Sequence, residues 1–259
     1  ACTCLTLHGR PLELLNHHLL PDRRLLILSH DGTTPGQVAE TLCRAGFGPS
    51  RLTVFENMGV ENASVRTGTA DSWDAADIEN LNTIAVECQA GPAARFYAPV
   101  AGLPNEAFLH DGQLTKRIVR AATMSALAPL PGQHLWDLGA GCGSVAIEWL
   151  RAAQDSQGQG ARASAVERVP SRSIRIAQNA CRLGVPFLNI VTAEIVSALP
   201  DLDDPDAVFL GGGASGDGVI ETVWERLGTG GRLVANVVTL EGERALLEAH
   251  AEREILFDS

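Results

Sequence analysis

Aromatic side chains make up only 5% of this 259-residue sequence, with a single tyrosine among them, and alanine, valine, leucine and glycine dominate instead. That composition suits α/β layers, and the length suits one large or two modest domains. No apolar run approaches the roughly 18 residues of a membrane-spanning helix, and no basic segment followed by an apolar one opens the chain. A membrane-spanning or secreted protein is therefore not expected. Positive charge is scarce as well: 20 lysines and arginines face 31 aspartates and glutamates, a net charge of -11. Neutralising phosphates needs clustered cations, so a general nucleic-acid surface is excluded, although a local basic pocket for a small anion is not.

Paired cysteines are missing too. The six cysteines are scattered, Cys2-x-Cys4 is the sole close pair, and no second pair completes a zinc set. Free thiols in a reducing cytoplasm are the expectation. His17 and His18 are adjacent and diverge on a helix, with no His or Glu partner at ligand spacing, so no metal site is expected. No Ser/His/Asp or Cys/His pattern marks a nucleophile.

What is present is punctuation. Residues 1 to about 90 alternate strand and helix patterns: strand Arg24–Ser29, turn "DGTTP", a helix over Gly36–Ala45 stacking Val38, Ala39, Leu42 and Cys43, strand Arg51–Glu56, and strand Leu81–Cys88. This is βαβ material without a glycine-rich nucleotide loop of its own. "AGPAARFYAPVAGLP" (Ala90–Pro104) has the composition of a linker. Beyond it, Thr115 can cap a helix carrying Ile118, Val119, Ala122 and Leu127, closed by Pro129 to Gly132. Strand "HLWDLG", a glycine loop, a helix from Ser144, polar loop "QDSQGQG" and strand Ala163–Glu167 follow. Pro170 then opens a helix in which Ile174, Ala177 and Cys181 share a face, before "NIVTA", "DAVFLGG" and "GRLVANVV". Five strands separated by helices predict a doubly wound sheet whose first crossover is the glycine loop. The chain opens in strand-like "CLTLHG" and closes in strand-like "REILFDS", which suggests a fragment cut at both ends.

The loop is Asp137-x-Gly139-x-Gly141-x-Gly143. Glycines let a ligand touch the main chain, and the next helix offers unpaired N–H groups. Nicotinamide, flavin and S-adenosylmethionine sites share those needs. Spacing separates them: a dinucleotide fingerprint wants a third glycine where Ser144 stands, and here it comes one residue early. Glu167 ends the second strand of this half, 30 positions beyond Asp137, where a carboxylate can accept both ribose hydroxyls. The fourth strand ends "FLGGG", without the proline–proline–aromatic tetrapeptide that clamps exocyclic amines.

"GLPNEAFLHDGQLTKRIVRAATMSAL" running into "WDLGAGCGSVAIEW", with "AVER", "DAVFLGGG" and "GGRLVANVVTLE", resembles the carbon-15 methyltransferase/decarboxylase domain of corrin biosynthesis. Upstream, "LTLHGRPLELL", "SHDGTTPGQVAETL", "GFGPSRLTVFENMG" and "LNTIAVE" resemble the carboxyl-terminal half of the carbon-5 enzyme, a tetrapyrrole methylase. Together they resemble the fused precorrin-6Y C5,15-methyltransferase family of cobalamin biosynthesis. The resemblance implies an α/β chain: residues 1–91 a partial tetrapyrrole methylase domain, 92–103 a linker, and 104–259 a Rossmann-like class I methyltransferase domain with an incomplete terminal hairpin. It implies S-adenosyl-L-methionine as cofactor, held by Thr115, Asp137, Gly139, Ala140, Gly141, Cys142, Gly143, Glu167, Glu194 and Ile195. The segment Ala193-Glu194-Ile195-Val196 departs from the family pattern of glycine, polar residue, alanine, proline, which alters the adenine pocket. The implied substrate is a polyanionic tetrapyrrole, methylated at carbon 15 and decarboxylated at the ring-C acetate, with Lys116, Arg117, Arg120 and Asn236 as contacts. Arg168 and Arg172 are further candidate cations, and Arg232 reads as structural. His110, Asp111 and Glu241 are reachable proton donors, none of them assigned. A cytoplasmic homo-oligomer, a tetramer through the second domain, is the implied assembly. A methyltransferase of another small acceptor and a cofactor-binding fragment without turnover are the alternative readings.

Overall fold

A computed structural model describes residues 2–153, 160–214 and 216–253. The chain divides into two units, one built mainly of residues up to Pro99 and the other mainly of residues from Val100 onward.

The first unit holds β1 (Cys2–Thr6), β2 (Arg24–Leu28), α1 (Thr34–Arg44), β3 (Arg51–Glu56), β4 (Ser64–Thr69) and β5 (Asn82–Glu87). Its sheet has the order β1-β2-β5-β3-β4. Only β1 and β2 pair in parallel; β5 runs antiparallel to both β2 and β3, and β4 closes an antiparallel hairpin on β3. The expected βαβ unit is thus a split one: α1 carries the chain from β2 to β3, and β5 is inserted between them. Val38, Ala39 and Leu42 of α1 enter the core with Phe47, Val54 and Ile84, as their spacing requires. Cys43 does not; it is exposed, and Thr41 takes its place on the buried face. Strand β4 carried no apolar alternation, because an edge strand exposed on both faces is held by pairing rather than by burial.

The second unit holds α2 (Arg117–Leu127), β6 (His134–Leu138), α3 (Ser144–Ala153), β7 (Arg162–Val166), α4 (Pro170–Arg182), β8 (Asn189–Val191), α5 (Ile195–Ala198), β9 (Ala207–Leu210), α6 (Val219–Arg226), β10 (Arg232–Ala235) and α7 (Leu240–Arg253). Five parallel strands lie in the order β10-β9-β6-β7-β8. Every residue of β6 is buried, as befits a central strand covered on both faces. The chain winds outward from β6 through β7 to β8, then returns to β9 and β10 on the other side. The winding reverses between β6 and β9, and that switch point is where open parallel sheets bind ligands.

Two helices turn differently from their expected faces. In α2 the buried residues are Arg120, Thr123, Met124 and Leu127, whereas Ile118 is 78% exposed and Val119 and Ala122 also face outward. In α4 they are Ser173, Ile176, Asn179 and Ala180, with Ile174 and Ala177 exposed. Thr115 does not cap α2, which begins two residues later with Lys116 at its N-cap and no side-chain cap. The "REILFDS" strand and most of the "QDSQGQG" loop lie outside the described residues. Among those described, no helix is long and apolar enough to cross a membrane.

Candidate functional site

Strand β6 ends at the glycine loop. The N–H groups of Gly139 and Ala140 both donate to the Val166 carbonyl of neighbouring β7, at 3.0 Å each, and the Gly143 N–H donates to the Ala140 carbonyl at 2.8 Å. Two glycines are dictated by packing. At Gly139, with φ of +74°, a Cβ would meet the Gly212 backbone at 3.0 Å; at Gly143, with φ of +77°, it would meet Ile176 Cγ2 at 2.7 Å. A Cβ at Gly141 would meet only the Gln113 carbonyl, at 3.5 Å.

Asp137 stands behind the loop, 1% exposed. Its Oδ2 accepts the Ala146 N–H at 2.9 Å, satisfying one of the first-turn donors of α3. Its Oδ1 is buried without a hydrogen-bond partner among the described residues. Burial, reinforced by the nearby Glu167 charge and opposed by the Ala146 N–H, pushes its pKa up to about 7.

Glu167, just beyond β7, is also buried. Its Oε2 accepts the Gly141 N–H and its Oε1 the Val169 N–H, both at 2.9 Å, and Arg172 Nη1 lies 3.9 Å from Oε1. The carboxylate expected to grip a sugar therefore also braces the loop. Each oxygen accepts one of these N–H groups and retains acceptor capacity for a ligand.

These groups border a crevice of about 330 Å³, within the about 300–1,000 Å³ usual for small-molecule sites. Gly139, Gly141 and Gly211–Gly213 form bare main-chain wall; Glu167, Arg168, Arg172, Ala193, Glu194 and Ile195 line it elsewhere, and Gln113 completes it. Of the expected cofactor residues, Gly139, Gly141, Glu167, Glu194 and Ile195 meet here. Ala140, Cys142 and Gly143 shape the loop from behind: Cys142 is buried, its thiol pKa raised by that burial, and its carbonyl accepts from Asn179 at 3.0 Å. Thr115 is absent from the wall, and its carbonyl accepts Arg120 Nη1. Ile195 packs toward Gly213, while the exposed Glu194 carboxylate lies 3.7 Å from Arg168.

Gln113 and the glycine run after β9 were not foreseen, whereas Ala193 opens the segment expected at the adenine pocket. "GGG" at the carboxyl end of a strand beside the switch point was the available signal, since it repeats the requirement of the first loop for uncluttered backbone.

The expected substrate cations fare unevenly. Arg120 is a correction. It is fully buried, its Nε lies 2.6 Å from Glu148 Oε1, its other nitrogens reach the carbonyls of Thr115 and Leu103, and it lies 4.8 Å over the Phe108 ring. Nothing of it remains for a ligand. Arg117 Nε donates to the Gly102 carbonyl at 2.8 Å, and the Asn236 amide donates to Thr123 Oγ1 at 2.9 Å. Lys116 is exposed at the head of α2. Asp111 is also corrected as a proton donor: hydrogen bonds from Arg172 and Arg175 hold its carboxyl far below the usual range, so it is ionised at any physiological pH. His110 Nδ1 accepts the Gly112 N–H at 3.1 Å.

A larger groove, about 730 Å³, runs along β10 and α7. It contains no carboxylate, and its Arg232 is engaged by the Leu127 carbonyl and Gln133. The smaller crevice has the chemistry. Among the described residues, no cluster of His, Cys, Asp or Glu is arranged to hold a metal.

A family profile described as a precorrin methyltransferase domain matches residues 106–255. The chain is 47% identical over 249 residues to the precorrin-6Y C(5,15)-methyltransferase [decarboxylating] of Sinorhizobium sp, a match covering 96% of this chain and 59% of that protein. It is 33% identical over 151 residues to the "Probable cobalt-precorrin-6B C(15)-methyltransferase (decarboxylating)" of Pyrobaculum aerophilum, covering 57% of this chain and 75% of that one. Among solved structures, the C-terminal domain of precorrin-6Y C5,15-methyltransferase from Rhodobacter capsulatus is similar with a TM-score of 0.55 at 43% identity, over 60% of this chain and 81% of that one. The chain thus spans 59% of the length of the Sinorhizobium relative. Its second unit has the Rossmann-like fold of class I methyltransferases. On the profile match and these identities, the chain belongs to the precorrin methyltransferase family.

Proposed function

We propose that the second unit binds S-adenosyl-L-methionine in the switch-point crevice and methylates a corrin precursor at carbon 15, with loss of carbon dioxide from the ring-C acetate, in cobalamin biosynthesis. The observation that carries this reading is the crevice itself: glycine-walled, flanked by Glu167, and backed by a buried Asp137 oxygen without a hydrogen-bond partner among the described residues. Bound there, the cofactor would supply an electrophilic methyl group on a sulfonium leaving group.

The residues present fit that guest. Gly139, Gly141 and Gly212 admit a nucleoside against the main chain. Glu167 would accept the ribose hydroxyls, a charge-assisted contact worth about 1.5–3 kcal/mol. Asp137 Oδ1 suits an ammonium donor such as a methionine amino group. Ala193 to Ile195 would offer backbone to adenine. Carbon 15 of the macrocycle is electron-rich through conjugation with ring nitrogens, so the protein needs to align the reactants and keep water out rather than supply a strong base. The conjugated macrocycle is its own electron sink for decarboxylation. Lys116 is the best-displayed of the expected partners for the substrate carboxylates.

In this reading residues 1–91 are the C-terminal part of a tetrapyrrole methylase domain, 92–103 a linker, and 104–259 the carbon-15 domain. Carbon-5 methylation is expected only of a full-length chain that carries the rest of that domain. A cytoplasmic homo-oligomer, a tetramer, is the proposed assembly, tested by light scattering.

Calorimetric titration tests the cofactor: S-adenosylhomocysteine binds, and NAD does not. Preference for NAD overturns the methyltransferase reading. Incubation with a carbon-5-methylated precursor and S-adenosylmethionine, followed by mass spectrometry, tests the reaction. The expected product gains one methylene mass and loses one carbon dioxide; gain without loss removes decarboxylation from the proposal.

A further inference from the structure

We propose that Gln113 is a cofactor-contacting residue of the crevice, and that Asp111 and Arg172 are the positioning residues that hold it there. The inference rests on reading the crevice as an S-adenosylmethionine site.

Two anchors and a local turn fix the segment that carries Gln113. Leu109 exchanges two hydrogen bonds with the Asn179 side chain, at 2.8 and 2.9 Å, and that fully buried amide also donates to the Cys142 carbonyl of the glycine loop at 3.0 Å. Asp111 Oδ2 meets Arg172 Nε at 3.0 Å and Arg175 Nη1 at 2.8 Å, both from α4. Asp111 Oδ1 then accepts the Gln113 N–H at 3.2 Å. The result is a strap whose Gln113 carbonyl passes 3.5 Å from where a Cβ on Gly141 would stand.

The anchors could serve stability alone, but the side chain they deliver has no such use. Gln113 lines the crevice, and among the described residues its amide makes no hydrogen bond. A glutamine side chain offers two donors and an acceptor at a crevice whose charged side chains are Glu167, Glu194, Arg168 and Arg172. Gly141, whose N–H is held by Glu167, is the residue that the Gln113 carbonyl approaches, so Gln113 borders the crevice on the side of the carboxylate assigned to the sugar. It is therefore placed to hydrogen-bond a ribose hydroxyl. Arg172 couples the two: its Nε holds the strap through Asp111, and its Nη1 approaches Glu167 Oε1 at 3.9 Å. Thr115, which the family resemblance points to, lies two residues further along the same segment, off the crevice wall.

The test uses the whole 259-residue chain and S-adenosylhomocysteine in a calorimeter, with hydrogen exchange of residues 110–115 in the unliganded protein. Gln113→Ala should weaken binding about five- to tenfold, the loss of one or two hydrogen bonds, with an unchanged melting temperature. Asp111→Asn should weaken it similarly and speed exchange in the strap. Arg172→Lys should recover most of the affinity lost in Arg172→Met. Raising salt should weaken the wild-type complex more than the Asp111→Asn one, because a half-exposed ion pair is screened. Wild-type affinity in Gln113→Ala overturns the contact. Faster strap exchange in Asp111→Asn without loss of affinity overturns the positioning role. If the wild-type chain itself ignores S-adenosylhomocysteine, the cofactor reading falls and the inference with it, whereas the other failures leave that reading standing.

Discussion

A buried carboxylate with one free oxygen can hold a proton or meet a cation, and Asp137 is poised between the two. Its pKa of about 7 lies above the ordinary 3.8, so between those values the native chain keeps a proton that the unfolded chain has released. The corresponding stability is complete below the lower value and is lost as pH rises through the upper one, with a slope approaching about 1.4 kcal/mol per pH unit for one proton. Asp137→Asn should flatten that part of the curve, read from urea midpoints across the range. A ligand ammonium group at Oδ1 reverses the preference: S-adenosylhomocysteine should expel the proton near neutrality, giving a binding heat that depends on the buffer's ionisation enthalpy, and the Asn variant should not. The place of Glu167 at the crevice was legible because an acidic residue ends the strand after a glycine loop. Arg120 was misread because an arginine near a helix start looks solvated. Its burial depends on Glu148, a partner 28 positions away with no local signature. Glu148 also accepts the N–H groups of Gly102 and Leu103 at 2.7 and 2.9 Å. Glu148→Ala should therefore cost about 3–5 kcal/mol in urea denaturation, the usual penalty for stranding a buried charge.

The glycine loop is the element best specified by its own residues, since each glycine answers to a neighbour that the fold supplies. Gly143 abuts Ile176 of α4, whereas Gly141 faces the crevice and the strap. The same substitution should then read out differently. Gly143→Ala adds a clash to backbone strain of about 1–3 kcal/mol and should mainly lower the melting temperature. Gly141→Ala carries the same strain, its φ being +61°, but has room for its methyl group on the protein side, so it should lower the melting temperature less and weaken S-adenosylhomocysteine binding more. Equal effects of the two on both measurements would show that the loop is uniform scaffold. The flanking helices were less legible. In α2 two stripes compete, Ile118, Val119 and Ala122 against Arg120, Thr123, Met124 and Leu127. Periodicity prefers the apolar one, but the Arg120–Glu148 pair decides which face turns inward. In α4 the buried Asn179, committed to Leu109 and Cys142, has the same effect. Polar residues that bury through specific partners are invisible to a hydrophobic pattern.

At the scale of the molecule, the second unit was readable as a winding order because five apolar strand segments alternate with helices, and parallel strands admit few connections. The first unit was not, because the insertion of β5 between β2 and β3 is a pairing choice that local sequence does not encode. That difference bears on what the chain can do. The crevice with a glycine loop, a strand-end carboxylate and an unsatisfied acid belongs to the second unit; the turn after β2 offers a single glycine, Gly32, packed beside the Ile78 carbonyl. Given a precursor lacking the carbon-5 methyl group, the chain should add no more than one methyl group, whereas a precursor already methylated there should be both methylated and decarboxylated. Mass spectrometry of the two products, with the labelled methyl located by carbon-13 NMR, checks this. Addition of two methyl groups by this chain would mean that the first unit is itself a competent site, and the division of labour drawn here would have to be abandoned.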